Sequence, residues 1–220
     1  MTTFYLLDLD RTILDTEKAS ALLIDLVAKE SPKLAASLRI QVDVYNQHGT
    51  PFAIRDVIAE QVGEETAARL EEVFIDESQR QYLLLEGAED LFAYTDNAPE
   101  RSFGILTYGS PKGQMMKLKA TKLDTLPLMI TQQKHKGELI MSWKVPDGYQ
   151  LPSEYGGQLV DQVVLVDDRI FSFEGLPNDV RGYWVTDDLS LLDTVEHAAN
   201  VKPVYSLQEV IDNEQRLLAD

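Results

Sequence analysis

The chain has 220 residues, with 20 Lys and Arg against 37 Asp and Glu and a formal net charge of −17. Its composition, 44% hydrophobic and 26% charged, is that of a globular protein large enough for one big domain or a core domain with an inserted module. The acidic balance excludes a bulk electrostatic binder of nucleic acid or anionic membrane, which needs basic surface to displace counterions. The lack of cysteine excludes disulfide scaffolds, zinc–thiolate sites, iron–sulfur clusters and cysteine nucleophiles. A local basic pocket for a small anion stays open.

The first residues, MTTFYLLDLD, carry no basic segment, and acids interrupt the apolar run early, so no signal peptide is read here. No apolar stretch approaches the roughly 18 residues of a spanning helix, and a soluble cytoplasmic protein is expected. Phe4 to Leu7 forms the first strand-length apolar run. From about Thr16 to Leu85 the pattern is helical throughout, with stripes at Leu22, Leu23, Leu26 and Val27, at Val57, Ile58 and Val62, and at Ala67, Leu70, Val73 and Phe74. Gly63 fits the C′ position that closes the second stripe. One helix suffices to cross between parallel strands. The stretch is therefore assigned to an inserted helical cap at residues 16–85, with residues 1–15 and 86–220 forming the core domain.

The core pattern resumes with a helix over Ala88 to Tyr94 and a strand over Phe103 to Leu106. A helix over Lys112 to Lys119 follows, entered through Ser110-Pro111 as N-cap and first helical residue. Then come a strand at Pro127 to Ile130, a helix at Lys136 to Trp143, and a segment at Lys144 to Gly157 whose two prolines and three glycines suggest a surface loop. Strands at Val163 to Val166 and Gly182 to Val185 precede a final amphipathic helix at Leu207 to Leu218. Continuous apolar strands alternating with helices define an α/β fold: a Rossmann-like parallel sheet with helices on both faces and an inserted α-helical cap.

Ligands of such sheets bind beyond the carboxyl ends of the strands. There the sequence places Asp8, Asp10 and Thr12 after the first strand, Thr107, Tyr108 and Gly109 at the end of the second, and Asp167 and Asp168 after the fourth. Four carboxylates converging at one edge require a neutralising cation. Oxygen-only ligands favour a hard ion, Mg²⁺ foremost.

These motifs resemble those of the haloacid dehalogenase-like (HAD) hydrolases, over most of the chain from Phe4 to about Val185. The D-x-D-x-T after an apolar strand is matched by Asp8, Asp10 and Thr12, the Thr-ended second strand by Thr107, and the acidic pair by Asp167 and Asp168. The long helical insertion after the first motif is similar to the C1 cap. The resemblance implies a nucleophile at Asp8 that forms an aspartyl phosphate, and a general acid and base at Asp10. It implies phosphoryl contacts from Thr107 and the amides of Tyr108 and Gly109, and Mg²⁺ held by Asp8, the Asp10 carbonyl, Asp167 and Asp168. The family's lysine just before a helix is sought at Lys136 or Lys134. Lys136 is favoured, although Gly137 stands where relatives often carry proline.

Dehalogenase-type members lack the acid found here at Asp10, so phosphate-ester chemistry is expected: a Mg²⁺-dependent phosphatase of a small phosphorylated metabolite. A phosphomutase or phosphotransferase on the same scaffold and a non-catalytic HAD-fold binding protein are the alternatives. Arg11 stands where many relatives have glycine and is assigned a local salt bridge ahead of a reach toward the cap. Tyr45, His48 and Arg55 are cap positions that could touch a leaving group, but a surface role is favoured for each.

Overall fold

The computed structural model describes residues 1–47, 53–188 and 198–219. Strand β1 (Thr3–Leu7) is buried along its whole length, as a strand covered on both faces must be. The described helices and strands after it run α1 (Thr16–Glu30), α2 (Pro32–Gln47), α3 (Ile54–Val62), α4 (Glu64–Ser78), α5 (Ala88–Asp96), β2 (Arg101–Tyr108), α6 (Pro111–Thr121), β3 (Leu128–Thr131) and α7 (Lys136–Met141). They continue with β4 (Lys144–Val145), β5 (Gly148–Gln150), β6 (Leu159–Val160), β7 (Gln162–Asp167), β8 (Arg181–Val185), β9 (Val201–Val204) and α8 (Leu207–Ala219).

Six strands form the main sheet in the order β3-β2-β1-β7-β8-β9. Renumbered along the chain, that is the doubly wound order 3-2-1-4-5-6 of a Rossmann-like α/β fold. β1 pairs in parallel with β2 and with β7, and the β7–β8 and β8–β9 pairs are parallel too. The order reverses between β1 and β7, the switch point beyond whose carboxyl ends ligands of such sheets bind.

Backbone contacts group the chain into two compact units. One comprises Met1–Ile13, Leu85–Thr107 and Pro127–Asp220, and the other Leu14–Leu84 and Tyr108–Leu126. In the sheet unit, Glu214 of α8 is buried and accepts hydrogen bonds from the Tyr5 and Tyr183 hydroxyls at 2.7 Å each, and from the Arg181 guanidinium at 2.8 Å. One carboxylate thereby ties the last helix to β1 and β8.

In the helical unit, Leu23, Leu26, Val27, Ile58, Ala67, Leu70 and Phe74 are buried, so each apolar stripe faces inward at these positions, while Leu22, Val57 and Val62 are half-buried and Val73 of the third stripe is exposed. Gly63 ends α3 at φ 86° and its N–H donates to the Ala59 carbonyl, a conformation that favours glycine. Arg55 is neither a surface residue nor a lone cation. It is buried, with both terminal nitrogens on Glu64 (2.8 and 2.6 Å) and Nε on Glu71 (3.1 Å), while Glu64 also accepts from Lys112 of α6 at 3.0 Å. His48 lies outside the described residues, as does the side chain of Tyr45.

Two features differ from the sequence reading. The segment read as a surface loop carries β4 and β5, which join β6 just beyond it in a three-stranded antiparallel sheet. Its prolines and glycines make the turns, while Tyr149, Leu151, Tyr155 and Val160 between them are buried in one cluster with Phe4, Trp143 and Val163. The sixth strand, β9, is short and carries Pro203, which is tolerated because β9 is an edge strand.

Gly137, at the start of α7, has a packing reason. A Cβ there would lie 2.5 Å from the Glu174 carbonyl oxygen and 2.5 Å from the Leu176 nitrogen. Backbone cannot yield as a flexible side chain does, so no larger residue fits. Gly137→Ala is expected to cost about 1–3 kcal/mol through this overpacking. A urea melt that overlays the wild type would contradict it.

Candidate active site

β1 and β7 are in register, with Leu7 beside Val166. Asp8 and Asp167, each one residue further, therefore leave the sheet at the same level across the switch point. The Asp8 amide donates to the Val166 carbonyl at 2.9 Å, which fixes the backbone from which the carboxylate projects. Both residues are buried. Between them lies the ammonium of Lys136, 2.5 Å from Asp8 Oδ1 and 2.6 Å from Asp167 Oδ2, with its side chain 1% exposed. Lys134, two residues earlier, instead places its ammonium over the Phe171 ring, 4.3 Å from the centroid. Thr12 Oγ1 lies 3.5 Å from Asp8 Oδ2.

The acidic pair is held on its far side too. Asp167 Oδ1 accepts from the Arg169 amide at 2.8 Å. The Asp168 carbonyl accepts from the Trp184 indole at 3.0 Å, and its Oδ2 lies 3.1 Å from Arg169 Nε. Thr107 is fully buried near the end of β2. The β1–β2 register sets Leu7 beside Ile105, so Thr107 and Asp8 come off neighbouring strands within one residue of the same level.

Tyr108 and Gly109 follow Thr107 directly and lead into α6. There the Tyr108 carbonyl accepts from Gln114 Nε2 at 3.1 Å, and Ser110 Oγ caps the helix by accepting from the Gly113 amide at 3.3 Å. Pro111 occupies the first turn. Asp10 is half-buried in the turn after β1.

The electrostatics follow from packing several carboxylates around one lysine. Burial pushes Asp8 up to about 7, the charges of Asp167 and Asp10 add to the rise, and Lys136 opposes it. Burial raises Asp168 well above the usual carboxylate range, as do Asp167 and Asp8, against the pull of Arg169 and Arg11. Burial by itself would lower Lys136, but Asp167 and Asp8 outweigh it and hold the ammonium protonated. Lys136 is the single buried lysine among the described residues, and Asp8, Asp10, Asp167 and Asp168 together exceed its charge.

Carboxylate oxygens of Asp8, Asp167 and Asp168 lie within 4.8 Å of one another. An oxygen-only, net-negative cluster of this size fits a hard divalent cation. Asp10 is not one of that trio.

The fold has close counterparts among solved structures. A haloacid dehalogenase-like hydrolase from Burkholderia xenovorans LB400 superposes with a TM-score of 0.65 at 16% identity, over 99% of this chain and 98% of that one. The HAD-hydrolase YfnB from Bacillus subtilis, solved bound to magnesium, gives 0.52 at 18% identity, over 96% and 97%. L-2-haloacid dehalogenase from Xanthobacter autotrophicus gives 0.56 at 12% identity, over 98% and 99%. The chain has the HAD-superfamily hydrolase fold. No protein-family model and no curated protein sequence matches it, so the likeness rests on structure. The HAD fold accounts for nearly the whole length, helical insertion included.

Two members of the site carry little signal in the sequence. Arg169 follows the acidic pair directly, which is the one hint of its ion pair with Asp168. Nothing in the sequence marks Trp184 as the donor that holds the Asp168 carbonyl, because an indole in an apolar strand reads as core.

Proposed function

We propose that the chain is a Mg²⁺-dependent phosphomonoester hydrolase acting on a small phosphorylated metabolite through an aspartyl phosphate at Asp8. The observation that carries this reading is the placement of the Asp8 carboxylate: buried, rigid at a strand end, and held between Lys136 and Thr12 beside Asp167 and Asp168. A carboxylate so placed is oriented for attack, and its raised affinity for a proton reflects the negative charge that an electrophile and a cation would relieve.

Asp8 attacks phosphorus, and the bond from phosphorus to the ester oxygen breaks. Asp10, outside the Asp8, Asp167 and Asp168 trio but near enough to act on Asp8 by its charge, gives the leaving oxygen its proton. It then takes one from the incoming water, whose oxygen bonds to phosphorus as the Asp8–phosphorus bond breaks. Inorganic phosphate and the Asp8 carboxylate result. Lys136 neutralises Asp8 and the transferring group, and Thr107 with the amides of Tyr108 and Gly109 receives phosphoryl oxygens. A Mg²⁺ held by Asp8, Asp167, Asp168 and the Asp10 carbonyl would supply Lewis-acid charge to those oxygens; magnesium in YfnB supports that choice of ion.

Asp10 separates this reading from carbon–halogen cleavage, the chemistry named for the Xanthobacter enzyme. A halide leaves without a proton, whereas an alkoxide needs one. The test is release of inorganic phosphate from a panel of phosphorylated metabolites with Mg²⁺ or EDTA. Metal-dependent release is expected. Transfer of the phosphoryl group to a second hydroxyl with no free phosphate, or release of halide from 2-haloacids in place of phosphate, would overturn the hydrolase assignment.

A further inference from the structure

Trp184 lies in β8 and is buried. A buried indole N–H must find an acceptor, and this one reaches the Asp168 carbonyl at 3.0 Å. The β7–β8 register explains the choice. Asp167 is the last residue of β7 and stands beside Trp184. The Asp168 carbonyl therefore falls past the end of the strand, where a side chain supplies its donor.

The bond matters for what stands at the other end of the same peptide. The Asp168 carbonyl and the Arg169 amide belong to one peptide group, which is trans and therefore a rigid plane. Its C=O accepts from Trp184. Its N–H, directed the opposite way, donates to Asp167 Oδ1 at 2.8 Å. Rotation of this plane would break both bonds together. Through one rigid link, then, the indole orients the Asp167 carboxylate, whose Oδ2 meets the Lys136 ammonium at 2.6 Å.

We propose that Trp184 is a positioning residue for the acidic trio. By fixing the Asp168–Arg169 peptide it holds the Asp167 carboxylate in the orientation in which Asp8, Asp167 and Asp168 take up a divalent cation. This rests on the Mg²⁺ part of the reading above and names a residue that sets the affinity. Groups that orient a metal ligand from behind commonly govern metal affinity by about ten- to a hundredfold. Phenylalanine at position 184 keeps much of the aromatic packing and removes the N–H. Trp143 offers a matched control. It is buried in the same apolar cluster as Trp184 and packs edge-on against Tyr155, with 6.0 Å between ring centroids. Among the described residues its hydrogen bonds and ring contacts do not reach Asp8, Asp167 or Asp168.

The experiment titrates Mg²⁺ by calorimetry into wild type, Trp184→Phe and Trp143→Phe, with a thermal melt of each in EDTA and phosphate release followed in parallel. Both substitutions take a buried indole from one cluster, so both should lower the melting temperature. Only Trp184→Phe should weaken Mg²⁺ binding, with Kd raised about tenfold or more, while Trp143→Phe stays within about twofold of wild type. A second measurement is spectroscopic. The chain has two tryptophans, so Trp143→Phe leaves Trp184 as the sole indole emitter. Its emission should change as Mg²⁺ fills the trio, because charge taken up there polarises the linked hydrogen bonds. This measurement keeps the proposal testable if Trp184→Phe fails to fold. A wild-type Kd in folded Trp184→Phe, an equal loss in both variants, or Trp184 emission that ignores bound Mg²⁺ overturns the positioning role and leaves the phosphatase reading intact. Mg²⁺ binding with no phosphate released from any ester overturns the phosphatase reading and leaves the role of Trp184 standing. No Mg²⁺ binding by the wild type overturns both.

Discussion

Asp8→Asn is expected to lower phosphate release on the order of a thousandfold or more, as loss of a nucleophile does, and yet to make the metal-free protein more stable near pH 8. The two effects share one cause. Asp8 is pushed up to about 7 chiefly by burial, with the Lys136 attraction already opposing that rise. An acid whose folded-state pKa is raised contributes stability below its unfolded value, near the usual 4, and loses it as the pH climbs through 7. Asparagine has no charge to form and suffers no such loss. The stability difference between variant and wild type should therefore be small near pH 4, widen through pH 7, and reach about 2 kcal/mol or more above it.

Urea melts in EDTA at pH 5 and pH 8, paired with phosphate-release assays, test both halves. A variant that is inactive and also less stable at pH 8 would mean that the Lys136 ion pair outweighs desolvation. A variant that is more stable and still active would remove Asp8 from the chemistry. The expected combination of greater stability and lost activity is the trade an active site makes when it buries a charge for function.

The parts of this molecule that were legible in the sequence are those in which one physical demand dominates. β1, β2, β7 and β8 are covered on both faces, so their residues are apolar without alternation, and their ends could be placed within a residue or two. The acidic pair was visible because two charges directly after four apolar residues have no packing role. What stayed illegible depends on neighbours distant in the chain. β9 is four residues with a proline, unrecognisable as a strand until β8 is beside it. The β4-β5-β6 sheet hides among turn residues because its buried apolar positions, Tyr149 and Val160, reach the core one at a time.

The sequence favours Lys136 over Lys134 without separating the two. The difference is made by the start of α7 and by the close approach of Glu174 and Leu176 to Gly137, which fix the helix start that carries the Lys136 ammonium between two carboxylates. Arg55 could be read as a surface cation because its partners Glu64 and Glu71 lie on another helix. The left-handed turn at Arg11, with φ 60°, is a backbone property to which side-chain patterns are blind.

Lys136→Met should produce the largest loss of stability of any single change at this site. The methionine fits the volume, but Asp8 and Asp167 are left buried with no cation between them, and breaking such a pair costs about 3–5 kcal/mol. The same argument gives a signature that simple damage to packing would not. If the lysine acts as charge compensation, a divalent cation bound by Asp8, Asp167 and Asp168 replaces much of what was lost. Mg²⁺ should then raise the melting temperature of Lys136→Met by clearly more than it raises that of the wild type, since binding to the folded state alone adds stability by mass action.

Adding Asp8→Asn to Lys136→Met should recover part of the loss in EDTA, because one of the two stranded charges is gone, and the two substitutions should be non-additive in that direction. Equal Mg²⁺ shifts in wild type and variant, with additive effects of the two substitutions, would assign Lys136 a packing role. Activity distinguishes the metal from the lysine further. Mg²⁺ can restore the folded state of Lys136→Met, but it sits among the carboxylates and cannot occupy the lysine's place against Asp8 Oδ1. The variant should thus remain far below wild-type turnover even at Mg²⁺ concentrations that return its melting temperature to normal.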